Sequence, residues 1–113
     1  MARPPAETSV FAALADGTRR AILLALIEGE RTVGELGAPL TASQSALSQH
    51  LAMLRRTNLV TTRREGRHQI YALRPEALRE VAAWMQHFDR FWDDRLARLG
   101  RHLAKPRKPV TPS

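Results

Sequence analysis

The sequence predicts a mostly α-helical domain with one small β-hairpin, and three observations lead there. Apolar residues recur at helical spacing through most of the chain. Residues 59–73 instead hold two short runs of Val, Thr, Ile and Tyr on either side of a glycine. A chain of 113 residues, 43% of them apolar, supplies one modest core and little more.

Met1–Ala6 contains Arg3-Pro4-Pro5, and residues 1–7 are expected to form a flexible arm. A single domain over 8–104 follows. From Thr8 or Ser9 a short helix carries Val10, Phe11 and Leu14 inward. Asp16-Gly17-Thr18 reads as a break and a new N-cap. Thr18–Glu28 is a core helix, apolar at Ile22, Leu23, Leu26 and Ile27, with Arg19 and Arg20 exposed near its start. Gly29 ends it. Thr32 caps a further short helix, and Glu35 stands three residues on, the spacing of a capping box. Val33 and Leu36 face inward; Pro39 stops this helix early, and Leu40–Ala42 turns the chain.

The next helix, about 43–57, organises the rest. Leu47, Leu51 and Leu54 share one face, and Ser43 is placed to cap the start. The other face holds Gln44, Ser45, Ser48, Gln49 and Ala52, with no acid. A merely solvated face would more often mix Glu, Lys and Arg, which favour helix. Serine and glutamine give up propensity and offer hydrogen-bonding groups suited to base edges and phosphates. Asn58 is placed to close the helix in a left-handed conformation. Short helix, tight turn and second helix with an inward leucine stripe is the helix-turn-helix plan.

Leu59–Arg63 and His68–Leu73 then form two strands about Arg64-Glu65-Gly66-Arg67, with Gly66 supplying the positive φ of the turn. Ile70 alternates with Gln69 and Tyr71, giving one apolar face. A hairpin directly after a helix-turn-helix is a wing, spanning about 60–73, with Arg63, Arg64, Arg67 and His68 at its tip. Pro75 starts a last, long helix. Leu78, Val81, Met85, Phe88, Trp92, Leu96, Leu99 and Leu103 form a seam of roughly 40 Å at the helical rise. Trp84 and Phe91 widen it. So small a domain cannot cover that stripe alone, which predicts a homodimer paired through Phe11, Leu14, Trp84, Phe88, Phe91, Trp92, Leu96 and Leu99. The tail 105–113, KPRKPVTPS, is expected to be disordered and basic.

Charge points to the partner. Lys and Arg number 18 against 11 Asp and Glu, a net +7 that favours an anion, nucleic acid first. Between Thr41 and Arg74 there are six arginines, Arg55 among them, and a single acid, Glu65, so the excess gathers at the groove-reading helix and the wing. Chain-wide absence of cysteine excludes disulfides and thiolate metal sites. No apolar run suits a membrane span, and Met1–Val10 lacks the core of a signal peptide, so the expected location is cytoplasmic.

The phrases FAALADGTRRAILLAL, VGELGAPL, SQSALSQHLAMLRRTNLV and REGRHQIYAL, in this order, resemble the ArsR/SmtB-type winged helix-turn-helix repressors. The likeness covers roughly Val10 to Leu99, and FWDDRLARL resembles a metal-independent branch. It implies a homodimer that binds an inverted-repeat operator in double-stranded DNA and blocks transcription. It places base and phosphate readers at Gln44, Ser45, Ser48 and Gln49, and wing contacts at Arg64 and Arg67. His50 matches the family's histidine but sits beside the leucine stripe, where it buttresses the fold or touches a phosphate. Two family metal sites are broken. Thr32, Gly34 and Gly37 stand where thiolates belong; His87 precedes Asp89, position 98 is Arg, and Leu103, Ala104 and Lys105 follow His102. A different set from His87, Asp89, Asp93 and His102 is the remaining geometric option.

No cofactor and no catalytic grouping is expected: there is no nucleophile–base–acid set and no glycine-rich phosphate loop. The alternative to a DNA-binding regulator is a winged-helix protein-interaction module, which would have no use for a cationic wing. If an effector exists, it is a small apolar molecule held among Trp84, Phe88, Phe91 and Trp92.

Overall fold

A computed structural model of the chain describes residues 9–92. In order these form α1 (Val10–Leu14), α2 (Gly17–Ile27), β1 (Arg31–Thr32), α3 (Val33–Gly37), α4 (Gln44–Arg56), β2 (Val60–Glu65), β3 (His68–Leu73), α5 (Arg79–Met85) and α6 (Asp89–Phe91). Short 3-10 turns occupy Pro75–Leu78 and Gln86–Phe88. The result is mostly helical with a small antiparallel sheet. The arm at 1–7, the tail at 105–113 and positions 93–104 of the long helix lie outside the described residues. The chain divides into two compact units between Val81 and Ala82.

Helices α1 to α4 each start on a side chain that takes an orphan backbone N–H. Ser9 accepts from Ala12, Asp16 from Thr18 and Arg19, and Ser43 from Ala46. Thr32 and Glu35 complete the capping box reciprocally, at 3.1 and 2.8 Å. Helix α2 closes at Glu28, and Gly29 follows at φ 144°. Helix α4 closes on Asn58 at φ 62°, the expected left-handed residue. The Asn58 N–H bonds the Arg55 carbonyl and the Leu59 N–H bonds that of Leu54, both at 3.0 Å, which is a Schellman closure.

The core unites Ala13 of α1, Ile22, Leu23 and Leu26 of α2, Leu36 of α3, and Leu47, Leu51, Met53 and Leu54 of α4 with Leu59, Val60 and Tyr71. Three expectations change. Phe11 is not inward: it is exposed, and Ala13 is the fully buried residue of α1. Ile27 is 62% exposed, because it lies about 100° round the helix from the buried Leu26. On β3 the buried side chain is Tyr71, while Ile70 on the opposite face is half-buried.

The sheet has three strands, not two, in the order β1-β3-β2. Arg31 and Thr32 pair with Tyr71 and Ile70, so the two-residue β1 covers one edge of β3. The hairpin runs from Val60↔Leu73 to Glu65↔His68, placing Arg64 and Glu65 inside β2 and leaving a loop of Gly66 and Arg67. Gly66 takes φ 63° at the first loop position, where a II′ turn requires glycine.

Among the described residues, the expected uninterrupted helix from Pro75 is broken. A 3-10 turn separates α5 from α6, and Phe88 leaves helical geometry at φ −106°, ψ 10°. The His87 imidazole donates from Nδ1 to the Trp84 carbonyl at 3.0 Å, a local bond that competes with the backbone ladder. The Phe88 ring meets Trp84 edge to face at 5.0 Å.

Candidate nucleic-acid interface

Burial of Leu47, Leu51, Met53 and Leu54 turns the opposite face of α4 outward. Gln44, Ser45, Ser48, Gln49, Ala52, Arg55 and Arg56 are all exposed on it. The helix carries no acid in its first turn and two arginines in its last. It therefore presents hydrogen-bonding groups along its length and positive charge at its C-terminal end, which also suits the helix dipole.

Helix α3 lies close beneath. A Cβ on Gly37 would come within 2.8 Å of a Leu47 methyl, so glycine lets the two helices approach. Val33, Gly34, Gly37, Ala42, Gln44 and Leu47 line an open crevice of about 310 Å³ between them.

The four cationic residues assigned to the wing do not share one surface. Partners directly opposite in the hairpin register project to the same face. Arg64 accordingly lies with Gln69 on the face of Tyr71, its guanidinium donating to the Gln69 amide oxygen at 3.4 Å. Arg63 and His68 lie on the other face with Glu65. Arg63 is occupied there: it pairs with Glu30 at 2.7 Å and with Glu65 at 3.4 Å. His68 acts on the Glu35 carboxyl, which is held below the usual carboxylate range first by the Thr32 backbone N–H, with the charges of Arg31 and His68 adding to it. Arg67, in the turn, is exposed and makes no ion pair among the described residues.

Arg19, expected to be exposed, is half-buried and tied on three sides. Its Nε donates to the Ala13 carbonyl at 2.8 Å and Nη2 to that of Ala12 at 3.2 Å. Nη1 lies 3.1 Å from Nδ1 of His50 on α4. The other His50 nitrogen is 4.0 Å from an Asp16 oxygen. That carboxyl sits below its ordinary range, chiefly through the Arg19 backbone N–H and then that of Thr18; burial opposes this, and the Arg19 charge supports it. His50 thus buttresses the fold. Neither Arg19 nor Glu30 announced its role in the sequence, since each acts across about thirty residues with no periodic signal.

Of the residues assigned to dimerisation, Phe11, Trp84, Phe91 and Trp92 are exposed and Leu14 and Phe88 are half-buried. Leu96 and Leu99 lie outside the described residues, as do Asp93 and His102 of the optional metal set. Among the described residues no grouping of three His, Asp or Glu could hold a metal, and no helix is long and apolar enough to cross a membrane.

Comparison with known proteins agrees with this geometry. Residues 16–62 match the family model described as bacterial regulatory protein, arsR family. The chain is 52% identical over 61 residues to the transcriptional activator HlyU of Vibrio cholerae, an alignment covering 54% of this chain and 56% of HlyU. It is 36% identical over 101 residues to the arsenical resistance operon repressor of Escherichia coli, covering 85% of this chain and 83% of that protein. The crystal structure of a possible transcriptional regulator for arsenical resistance superposes with TM-score 0.61 at 42% identity, covering 82% of this chain and 94% of that one. These relatives are transcriptional regulators and not enzymes, and the chain belongs to the arsR family of bacterial regulatory proteins.

Proposed function

We propose that the protein is a homodimeric, sequence-specific DNA-binding repressor of the cytoplasm. In this reading α4 enters the major groove of each half of an inverted-repeat operator, and the wing lies on the flanking groove. The observation that carries it is the exposed, acid-free face of Gln44, Ser45, Ser48 and Gln49, with Arg55 at its end. Arg64 and Arg67 are the wing residues assigned to the phosphates, and Arg63 and His68 stand behind them. Dimerisation is assigned to the Phe11/Leu14 helix and to the aromatics Trp84, Phe88, Phe91 and Trp92, with Leu96 and Leu99. Exposed area on the large rings of Trp84, Phe91 and Trp92 supports that assignment.

The sign of regulation is assigned as repression, by occupation of the promoter; an activator and a repressor both stand among the relatives. Control is read as metal-independent. Thr32, Gly34 and Gly37 offer no thiolate, and the approach of Gly37 to Leu47 leaves no room for a larger residue without displacing that methyl. An apolar effector among the aromatics of 84–92 is the candidate inducer.

The test is enrichment of duplexes from a random-sequence pool by the purified protein, with sedimentation of free protein and complex and transcription from a promoter bearing the selected sequence. We expect an inverted repeat, two chains per duplex, lowered transcription, and no release by Zn²⁺ or arsenite. Failure to enrich any sequence would favour a protein-interaction module. A monomer at tens of micromolar would overturn the dimer, and release by stoichiometric metal would overturn metal independence.

A further inference from the structure

We propose that Arg19 is a positioning residue for DNA recognition, fixing the roll of α4 through His50 and tying it to the end of α1. The inference rests on the reading of α4 as the groove-reading helix. Packing of Leu47, Leu51 and Leu54 buries α4 but is non-directional, so it sets the rotation of the helix only loosely. A hydrogen bond is directional and can set it. His50 is half-buried on the core-facing side of α4, between Leu54 and Met53 round the helix, and Arg19 holds it at 3.1 Å. Arginine carries donors only, so Nδ1 of His50 accepts and Nε2 bears the proton, facing Asp16 at 4.0 Å. The same guanidinium fork donates to the Ala13 carbonyl and to the Ala12 carbonyl, which also takes the Ala15 N–H, in the last turn of α1. One planar group therefore spans three helices. Its neighbour Arg20 also bonds α1, at the Leu14 carbonyl, but reaches no residue of α4. Helix α1 carries part of the assigned dimer contact, so a shift between protomers would be felt at the groove-reading face through Arg19.

The experiment compares binding to the duplex enriched by the wild-type protein with binding to an unrelated duplex of equal length. Arg19→Lys keeps the charge but loses the fork. We expect it to lower the ratio of the two affinities by about tenfold, the scale of one lost hydrogen bond to a charged group. Affinity for the unrelated duplex and the salt slope should stay within about twofold. His50→Leu should do the same, and the double variant should be no worse than either single one. His50→Gln retains an acceptor for Arg19 and should restore most of the ratio, while Arg20→Lys should leave it unchanged. Equal losses on both duplexes with a shallower salt slope would make Arg19 a phosphate contact. A lowered melting temperature with an unchanged ratio would make it structural only. Either result overturns the proposal. If His50→Leu does not fold, Arg19→Lys and His50→Gln decide between the same outcomes. A wild-type protein that enriches no duplex would instead remove the DNA-recognition reading on which the proposal stands.

Discussion

The backbone N–H of Leu59 bonds the carbonyl of Leu54 at 3.0 Å, and both side chains are fully buried. The last turn of α4 and the root of the wing thus share one anchor. The turn between them depends on Asn58 at φ 62°, a conformation that costs most residues with a Cβ about 1–2 kcal/mol. Asn58→Ala should therefore destabilise by about that amount, and Asn58→Gly should be close to neutral. Urea unfolding measures both; equal midpoints for the two variants would remove the left-handed closure from the account.

Gly37 and Gly34 make a matched pair on α3. A methyl on Gly37 would come within 2.8 Å of the buried Leu47 side chain, whereas the nearest atom to one on Gly34 is the Thr32 hydroxyl at 3.9 Å. We expect Gly37→Ala to cost about 1–3 kcal/mol through overpacking. Gly34→Ala should stabilise by up to about 1 kcal/mol through helix propensity. Thermal unfolding of the two variants checks the contrast in sign.

On the wing, Arg63 is engaged by Glu30 while Arg67 is not paired among the described residues. Arg64→Ala with Arg67→Ala should reduce the log–log salt slope of DNA binding by up to about two, near 0.9 for each lost phosphate contact. Glu30→Gln should act oppositely, removing the shorter of the two Arg63 ion pairs and steepening the slope by up to about one. Titration of the enriched duplex at several salt concentrations reads both changes, and a shallower slope for Glu30→Gln would contradict the role given to Arg63.

Acid should weaken the start of α2. The Asp16 carboxyl is held below its ordinary range chiefly by the Arg19 backbone N–H, so the folded state favours its charged form. That contribution is fully present above the unfolded value of about 3.9 and is lost as pH falls through the lower folded value. Asp16→Asn keeps an acceptor of similar capping strength. The variant should be slightly less stable at pH 7, and the difference from wild type should close below about pH 4. Melting temperatures from pH 7 to pH 3 follow this, and a gap that widens on acidification would reverse the assignment.

Much of the interface was legible because its signals are local and periodic. The leucines of α4, the Ser43 and Thr32 caps, Asn58 and Gly66 all declare themselves within one or two turns of chain. What escaped was non-local. A two-residue strand has no alternation to detect, so β1 was invisible until it paired with Tyr71 and Ile70. Alternation in β3 pointed to the Ile70 face as the apolar one, yet Tyr71 on the other face is the buried residue. Arg19 resembles any arginine in the first turn of a helix; only tertiary structure brings it to His50. The seam beyond Pro75 has sound helical spacing, but the His87–Trp84 bond and the geometry of Phe88 interrupt it.

The short β1 also settles how the sheet avoids its own kind. With Arg31 and Thr32 paired to Tyr71 and Ile70, the long edge strand of the sheet is β2, whose sequence is VTTRRE. An unpaired strand margin is a template for edge-to-edge pairing, and natural proteins blunt it with charged side chains. Here Arg64, which makes no ion pair among the described residues, puts charge on that strand and discourages two sheets from zipping together, while Arg63 is already paired with Glu30 and Glu65.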